Sequence, residues 1–206
     1  MGFYDRHILP ILLDKGMDNE SVYRQRALIV PRATGQVLEI GIGSGLNLEH
    51  YDPAKVTRVI GIEPSHELRH RAAPRAARAS FPVEFIGLTA EEIPLSEASV
   101  DTVLVTYTLC TIPDVSQALL EMRRILKPGG QLLFCEHGRS PDQAIRKWQD
   151  RLDRLWGRFT GGCHLNRSTP ELLAASGLKV TDLESAYVEG LPKLAGYTYR
   201  GAAERA

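Results

Sequence analysis

The chain has 206 residues, 43% of them hydrophobic and 24% charged, enough to bury the core of one globular domain without disulfide or metal staples. Lysine plus arginine and aspartate plus glutamate both total 25; without a net basic field, nucleic acid and anionic membranes are not expected as main partners, and a small molecule is. Three cysteines, at 110, 135 and 163, are odd in number and too widely spaced for a zinc knuckle or a CxxC pair, so free thiols in a reducing, cytoplasmic compartment are expected.

Met1 to Asp14 carry one apolar run, Ile8 to Leu13, broken by Pro10. A bilayer needs ~20 apolar residues and no small-residue cleavage site follows the run, so no transmembrane segment is expected. Residues 3–33 predict two short helices, the second starting at Asp18-Asn19. Gln36 to Gly45 (QVLEIGIGSG) reads as a buried strand that ends in an acid, Glu39, and then in glycines at 41, 43 and 45. Those glycines clear side chains from the backbone and permit a tight strand-to-helix turn, so that a flat polar ligand can approach the main chain. Leu46 to His50 should begin a helix. Thr57 to Glu63 (TRVIGIE) repeats the apolar strand ending in a carboxylate.

Residues 65–79 predict a basic, alanine-rich helix interrupted by Pro74, and Pro82 to Ile86 a short strand. Val100 to Thr106 (VDTVLVT) is a β-branched buried strand, Ser116 to Leu126 a helix stopped by Pro128-Gly129-Gly130, and Gln131 to Glu136 (QLLFCE) a fifth strand. Ala144 to Phe159 and Pro170 to Ser176 read as helices, the latter closed by Gly177. Leu178 to Val188 and Lys193 to Arg200 read as two strands without a helix between them. The expected fold class is therefore α/β: a doubly wound, mainly parallel, seven-stranded Rossmann-like sheet with an antiparallel C-terminal hairpin at its edge. One domain over 1–206 is expected, with a helical lid at 1–34, a cofactor-binding half at 35–136 and a substrate-side segment with the hairpin at 137–206.

A dinucleotide fingerprint requires Gly-x-Gly-x-x-Gly or Ala, whose last small residue lets helix pack on strand; here that position is Leu46. The spacing Glu39-x-Gly41-x-Gly43-x-Gly45 resembles motif I of the class I S-adenosylmethionine-dependent methyltransferases. Glu63 stands where that family presents an acid to the ribose hydroxyls, although the same acid suits a dinucleotide ribose. Leu88-Thr-Ala-Glu-Glu-Ile-Pro94 with Ser99-Val-Asp-Thr resembles the family's adenine-side loop, with Thr89 in place of the usual aspartate; Ala90 would present its backbone and Glu91 a substitute carboxylate. Leu126-Lys-Pro-Gly-Gly130 before a strand is a further family mark. The resemblance implies S-adenosyl-L-methionine as cofactor, S-adenosyl-L-homocysteine as product, and a binding set of Glu39, Gly41, Gly43, Gly45, Asn47, Glu63, Pro64, Thr89, Ala90, Glu91, Thr106 and Tyr107.

In the other half, Thr108-Leu-Cys-Thr-Ile112, Cys135-Glu-His137, Gly162-Cys-His-Leu-Asn166 and Leu191-Pro-Lys-Leu-Ala-Gly-Tyr197 are similar to a methyltransferase-like branch that includes eukaryotic alkyl-thiol S-methyltransferases. The implied function is methyl transfer to a small acceptor, with a thiol, an amine, a phenol or a phospholipid headgroup as alternatives. A nicotinamide oxidoreductase and a non-catalytic cofactor-binding module are the rivals from other classes.

His137, after the fifth strand, and His164, in the turn Gly161-Gly-Cys-His, are the candidate catalytic side chains; each also has an ordinary reading as a capping or surface histidine. The three cysteines lie 25 or more residues from one another, as do His137 and His164, so no metal site is expected. Trp148, Trp156 and Phe159 fall near one helical face, where core packing is the default reading and a wall over an apolar substrate the sharper one. Arg146, Arg151, Arg154 and Arg158 read as a solvated face.

Overall fold

The computed structural model describes residues 14–205. The first of the two expected N-terminal helices and the Ile8–Leu13 run lie largely or wholly outside the described residues. The second helix is α1 (Glu20–Ile29), capped by Asn19, whose side-chain oxygen accepts the Val22 amide. A short 3₁₀ turn, Val30–Arg32, leads into the sheet. The remaining order is β1 (Gly35–Ile40), β2 (Val56–Ile62), α2 (His66–Ala76), β3 (Val83–Ile86), β4 (Val100–Thr106), α3 (Val115–Ile125), β5 (Leu126–His137), α4 (Gln143–Phe159), α5 (Thr169–Ala175), β6 (Leu178–Tyr187) and β7 (Tyr197–Arg205).

Seven strands form one sheet in the order β3-β2-β1-β4-β5-β7-β6. The first five pair in parallel, whereas β7 lies antiparallel between β5 and β6. Successive residues of the central strands alternate between two apolar layers: Leu38, Val103, Leu132 and Phe134 face one, and Val37, Leu104, Leu133 and Cys135 the other. Both faces are thus covered, as a doubly wound sheet requires, and each fully buried Leu or Ile contributes about 1.5–3 kcal/mol. The α/β class, the seven strands and the antiparallel C-terminal pair agree with the sequence expectation.

Four local expectations are corrected. Residues 46–50 form successive turns rather than a helix: Leu48 N–H bonds Gly45 C=O and His50 N–H bonds Asn47 C=O. Asn47 is used by its side chain, which reaches Glu39 and Thr106, and that inward pull competes with helix propagation. Helix α2 runs through Pro74 without interruption, because the proline sits in its last turn and only one backbone donor is lost. Strand β7 starts at Tyr197 rather than Lys193, after a turn in which Ala195 N–H bonds Pro192 C=O. The hairpin is not wholly an edge feature, since β7 is an inner strand and β6 holds the edge.

Trp148 and Phe159 are 54% and 61% exposed, against core packing as the default. The one fully buried residue of α4 is polar: Gln149 accepts Ser140 N–H and donates to the carbonyls of Gly138 and Leu194. Trp156 alone of the three aromatic residues is partly buried, against Cys110, Cys163 and Leu165.

Candidate functional site

The carboxyl ends of β1, β2 and β4 open on two adjoining cavities of about 230 and 160 Å³. Gly41, Glu63, Thr108 and Thr111 line both. The larger also takes Asp14, Arg26, Gly43, Thr106 and Tyr107; the smaller takes Pro64, Thr89, Ala90 and Glu91. Parallel strand order places the site here, because β1 and β4 are neighbours whose crossovers leave in opposite directions and open a crevice between them.

The glycine loop has two distinct reasons for glycine. At Gly41 (φ +66°) an added Cβ would fall 2.5 Å from the Thr108 side chain. At Gly43 (φ +57°) no described residue lies closer than 3.8 Å, so among the described residues the space in front of that backbone is free. Glu63, 7% exposed, holds the loop from below: one oxygen accepts Gly43 N–H at 3.2 Å and the other Ser65 N–H at 2.8 Å. Burial pushes its carboxyl above the ordinary range, and those two backbone bonds pull it back only in part.

Glu39 lies one layer deeper. It is buried beneath the loop and lines neither cavity; Asn47 Nδ2 donates to one of its oxygens at 2.9 Å and Tyr51 Oη to the other at 2.7 Å. Burial pushes it up to about 7, against the bonds from Tyr51 and Asn47 and the charge of Arg26. Asn47 is fully buried, and Thr106 Oγ1 accepts its amide at 3.0 Å. Gly45 likewise stands behind the cavity, its Cβ direction filled by Leu48 at 2.9 Å.

Arg26 is one of the cavity-lining residues absent from the expected binding set, with Asp14, Thr108 and Thr111. It projects from α1 into the larger cavity, 7% exposed; its Nη1 donates to Asn47 Oδ1 at 2.7 Å and to Thr106 Oγ1 at 3.0 Å. The guanidinium lies 5.8 Å from the Tyr107 ring centroid, and its buried Nε has no acceptor among the described residues. Its heptad context (VYRQRAL) carried no signal, since arginine on a surface helix is ordinary. Tyr107 itself has φ +53°, a left-handed conformation that costs a non-glycine residue about 1 kcal/mol or more.

Neither histidine expected to act in catalysis is among the described residues that line these two cavities. His137 Nε2 lies 3.1 Å from Cys163 Sγ, and its ring stands edge-on to Tyr107 with centroids 5.8 Å apart. His164 Nδ1 meets Asp153 Oδ2 at 2.8 Å. Burial pulls His137 down, but Cys163 and Glu136 outweigh it and leave the ring above its usual value. All three cysteines are free and buried.

A model described as "Methyltransferase domain" matches residues 38–134. The chain is 34% identical over 136 residues to thiol S-methyltransferase TMT1B of Rattus norvegicus, covering 65% of this chain and 55% of that protein. It is 30% identical over 147 residues to the phosphatidylethanolamine N-methyltransferase of Cereibacter sphaeroides, covering 69% of this chain and 71% of that protein. The chain belongs to the S-adenosylmethionine-dependent methyltransferases. The structure of a methyltransferase of that kind from Thermotoga maritima superposes on this one with a TM-score of 0.69 over 98% of this chain and 100% of the other, at 21% identity, which shows a shared fold. This methyltransferase spans little more than half the length of the rat protein, so family membership establishes the scaffold and leaves the acceptor to its own residues.

Proposed function

We propose that this methyltransferase moves the methyl group of S-adenosylmethionine to the sulfur of a small thiol. The cofactor fits the residues present. The adjoining cavities meet at Glu63, whose carboxylate keeps free lone pairs for two vicinal ribose hydroxyls. The Thr89-Ala90-Glu91 and Pro64 side suits the adenine, and the open space over Gly43 and the unpartnered Nε of Arg26 suit the amino-acid end and its carboxylate. Glu39, Asn47 and Thr106 act as the support that fixes Arg26 and the loop. When bound, the cofactor supplies an electrophilic methyl on a sulfonium centre.

The observation that carries the thiol reading is that the carboxylates on the described cavity wall are already engaged: Asp14 accepts from Ser44 and pairs with Arg71, Glu63 accepts the amides of Gly43 and Ser65, and Glu91 accepts the Asp114 amide. Among the described residues lining the two cavities there is no histidine, lysine or cysteine, and His137 and His164 are each engaged elsewhere. An acceptor that loses its proton unaided near neutrality is therefore favoured, and a thiol with a reference pKa of ~8.5 fits better than a phenol or an alcohol. In-line transfer then needs orientation in a dry pocket, which contributes on the order of 7–11 kcal/mol at best.

The outer face of α4 favours a second reading, methylation of a lipid headgroup amine. Trp148, Leu155 and Phe159, each more than half exposed, share one helical stripe beside Lys147, Arg151, Arg154 and Arg158. Labelled S-adenosylmethionine incubated with alkyl thiols, phenols, small amines and phosphatidylethanolamine vesicles separates the readings: label in a thioether supports the first, label in lipid the second. Tight nicotinamide binding without binding of S-adenosylhomocysteine overturns both, as does full silence with the cofactor bound.

A further inference from the structure

The fold brings Cys110, His137 and Cys163 together from three different segments: the loop after β4, the end of β5 and the turn after α4. Their ligand atoms lie within 4.8 Å of one another, with His137 Nε2 and Cys163 Sγ 3.1 Å apart. Cys110 and Cys163 are 2% and 5% exposed. Two of the segments are locked to each other by the backbone, His164 N–H donating to Cys110 C=O at 2.8 Å, and Arg167 ties the same loop by donating to the carbonyls of Leu109 and Ile112.

From this geometry we infer that Cys110, His137 and Cys163 form a site for a borderline-soft divalent cation of the Zn²⁺ type. Two thiolates and one imidazole are the donor set of a three-ligand zinc site whose fourth position is open to water or another exogenous ligand. Zn–S and Zn–N bonds of ~2.3 and ~2.0 Å put the donors of a tetrahedron roughly 3.5–3.8 Å apart, so each atom here needs to move by no more than about 1 Å. Two thiolates neutralise the cation, which removes the cost of burying an isolated charge. Trp156, packed against the cluster of Cys110, Cys163 and Leu165, has a buried Nε1–H with no acceptor in the described structure, and a thiolate sulfur bound to metal offers that N–H an anionic partner.

The site lies apart from the cofactor's proposed contacts. Its loops also supply Thr111 and Gly161 to the larger cavity, so the cation would pin the acceptor-side wall to the ends of β4 and β5. It is independent of which acceptor is methylated.

The test is metal content and cobalt spectroscopy on the whole chain, handled without chelator and under anaerobic conditions. Protein from zinc-supplemented cells should carry about one zinc per chain. Stripped protein titrated with Co²⁺ should develop a thiolate-to-cobalt band in the near ultraviolet and tetrahedral bands in the visible. Cys110→Ser, Cys163→Ser and His137→Gln should each weaken cobalt binding at least ~10-fold, as loss of a ligand requires, whereas Cys135→Ala, which alters the cysteine outside the trio, should keep it. Because a ligand variant can fail to fold, the unaltered chain decides by itself: folded protein by circular dichroism that shows no thiolate–cobalt band overturns the site. Unchanged cobalt affinity in both serine variants overturns it equally.

Discussion

Glu63 and Gly43 meet through one hydrogen bond, 3.2 Å from the Gly43 amide to the Glu63 carboxylate, and that bond joins the end of β2 to the glycine loop after β1. The acid proposed to hold the ribose therefore also shapes the loop that faces the cofactor. Glu63→Gln keeps the shape and removes the charge. It should weaken S-adenosylhomocysteine binding by about 1–3 kcal/mol, roughly 5- to 150-fold, measured by isothermal titration calorimetry. An unchanged dissociation constant removes Glu63 from the site.

Gly43 and Gly41 should respond differently to the same change. Gly43→Ala puts a methyl group into open space and should cost about 1–2 kcal/mol of stability for its left-handed backbone, while cofactor affinity falls more than tenfold. Gly41→Ala drives the methyl against Thr108 at 2.5 Å and should cost clearly more stability. Thermal melts with and without S-adenosylhomocysteine distinguish the two, and equal losses of stability and affinity in both variants speak against a ligand over Gly43.

Arg26→Met retains length and apolar packing but leaves Asn47 Oδ1 and Thr106 Oγ1 without their cationic donor. It should reduce cofactor affinity at least ~10-fold, because both the carboxylate partner and the support of Asn47 are lost. Calorimetry with the cofactor and with its decarboxylated analogue locates the effect: the variant should bind both about equally, whereas the parent should prefer the carboxylate.

Glu39 gives a pH signature. Its folded pKa of about 7 stands above the ordinary 4.5, so the folded chain binds a proton that the unfolded chain releases. Stability then falls as pH rises through this window, by roughly 3 kcal/mol at 1.36 kcal/mol per pKa unit. Burial also pushes Glu136 up to about 7, so urea unfolding of Glu39→Gln should show a shallower fall between pH 5 and 8 than the parent, and a variant with the parent's full pH dependence disproves the assignment.

Gln149 anchors α4 through three backbone groups. Gln149→Leu leaves a buried amide and two buried carbonyls unpaired and should destabilise the fold by about 2–4 kcal/mol, read as a lower urea midpoint. A shift below ~0.5 kcal/mol means that water replaces the glutamine.

The sequence by itself determined the α/β class, the strand count, the glycine loop, the acid at 63 and the Ala90 loop. Those features are local: strand period, turn chemistry and motif spacing are written in neighbouring residues. The tertiary structure alone decided that Glu39 lies beneath the loop, that Arg26 enters the cavity, that His137 turns to Cys163 and that the aromatic stripe of α4 faces outward. Each of these depends on which distant segments pack together. Arg26 meets Asn47 and Thr106 across 21 and 80 residues, and β7 is an inner strand because β5 pairs with one of its edges and β6 with the other. Helical spacing placed Trp148 and Phe159 on a common face, but which face is buried was set by Gln149 and its partners on other segments, beyond the reach of any local pattern.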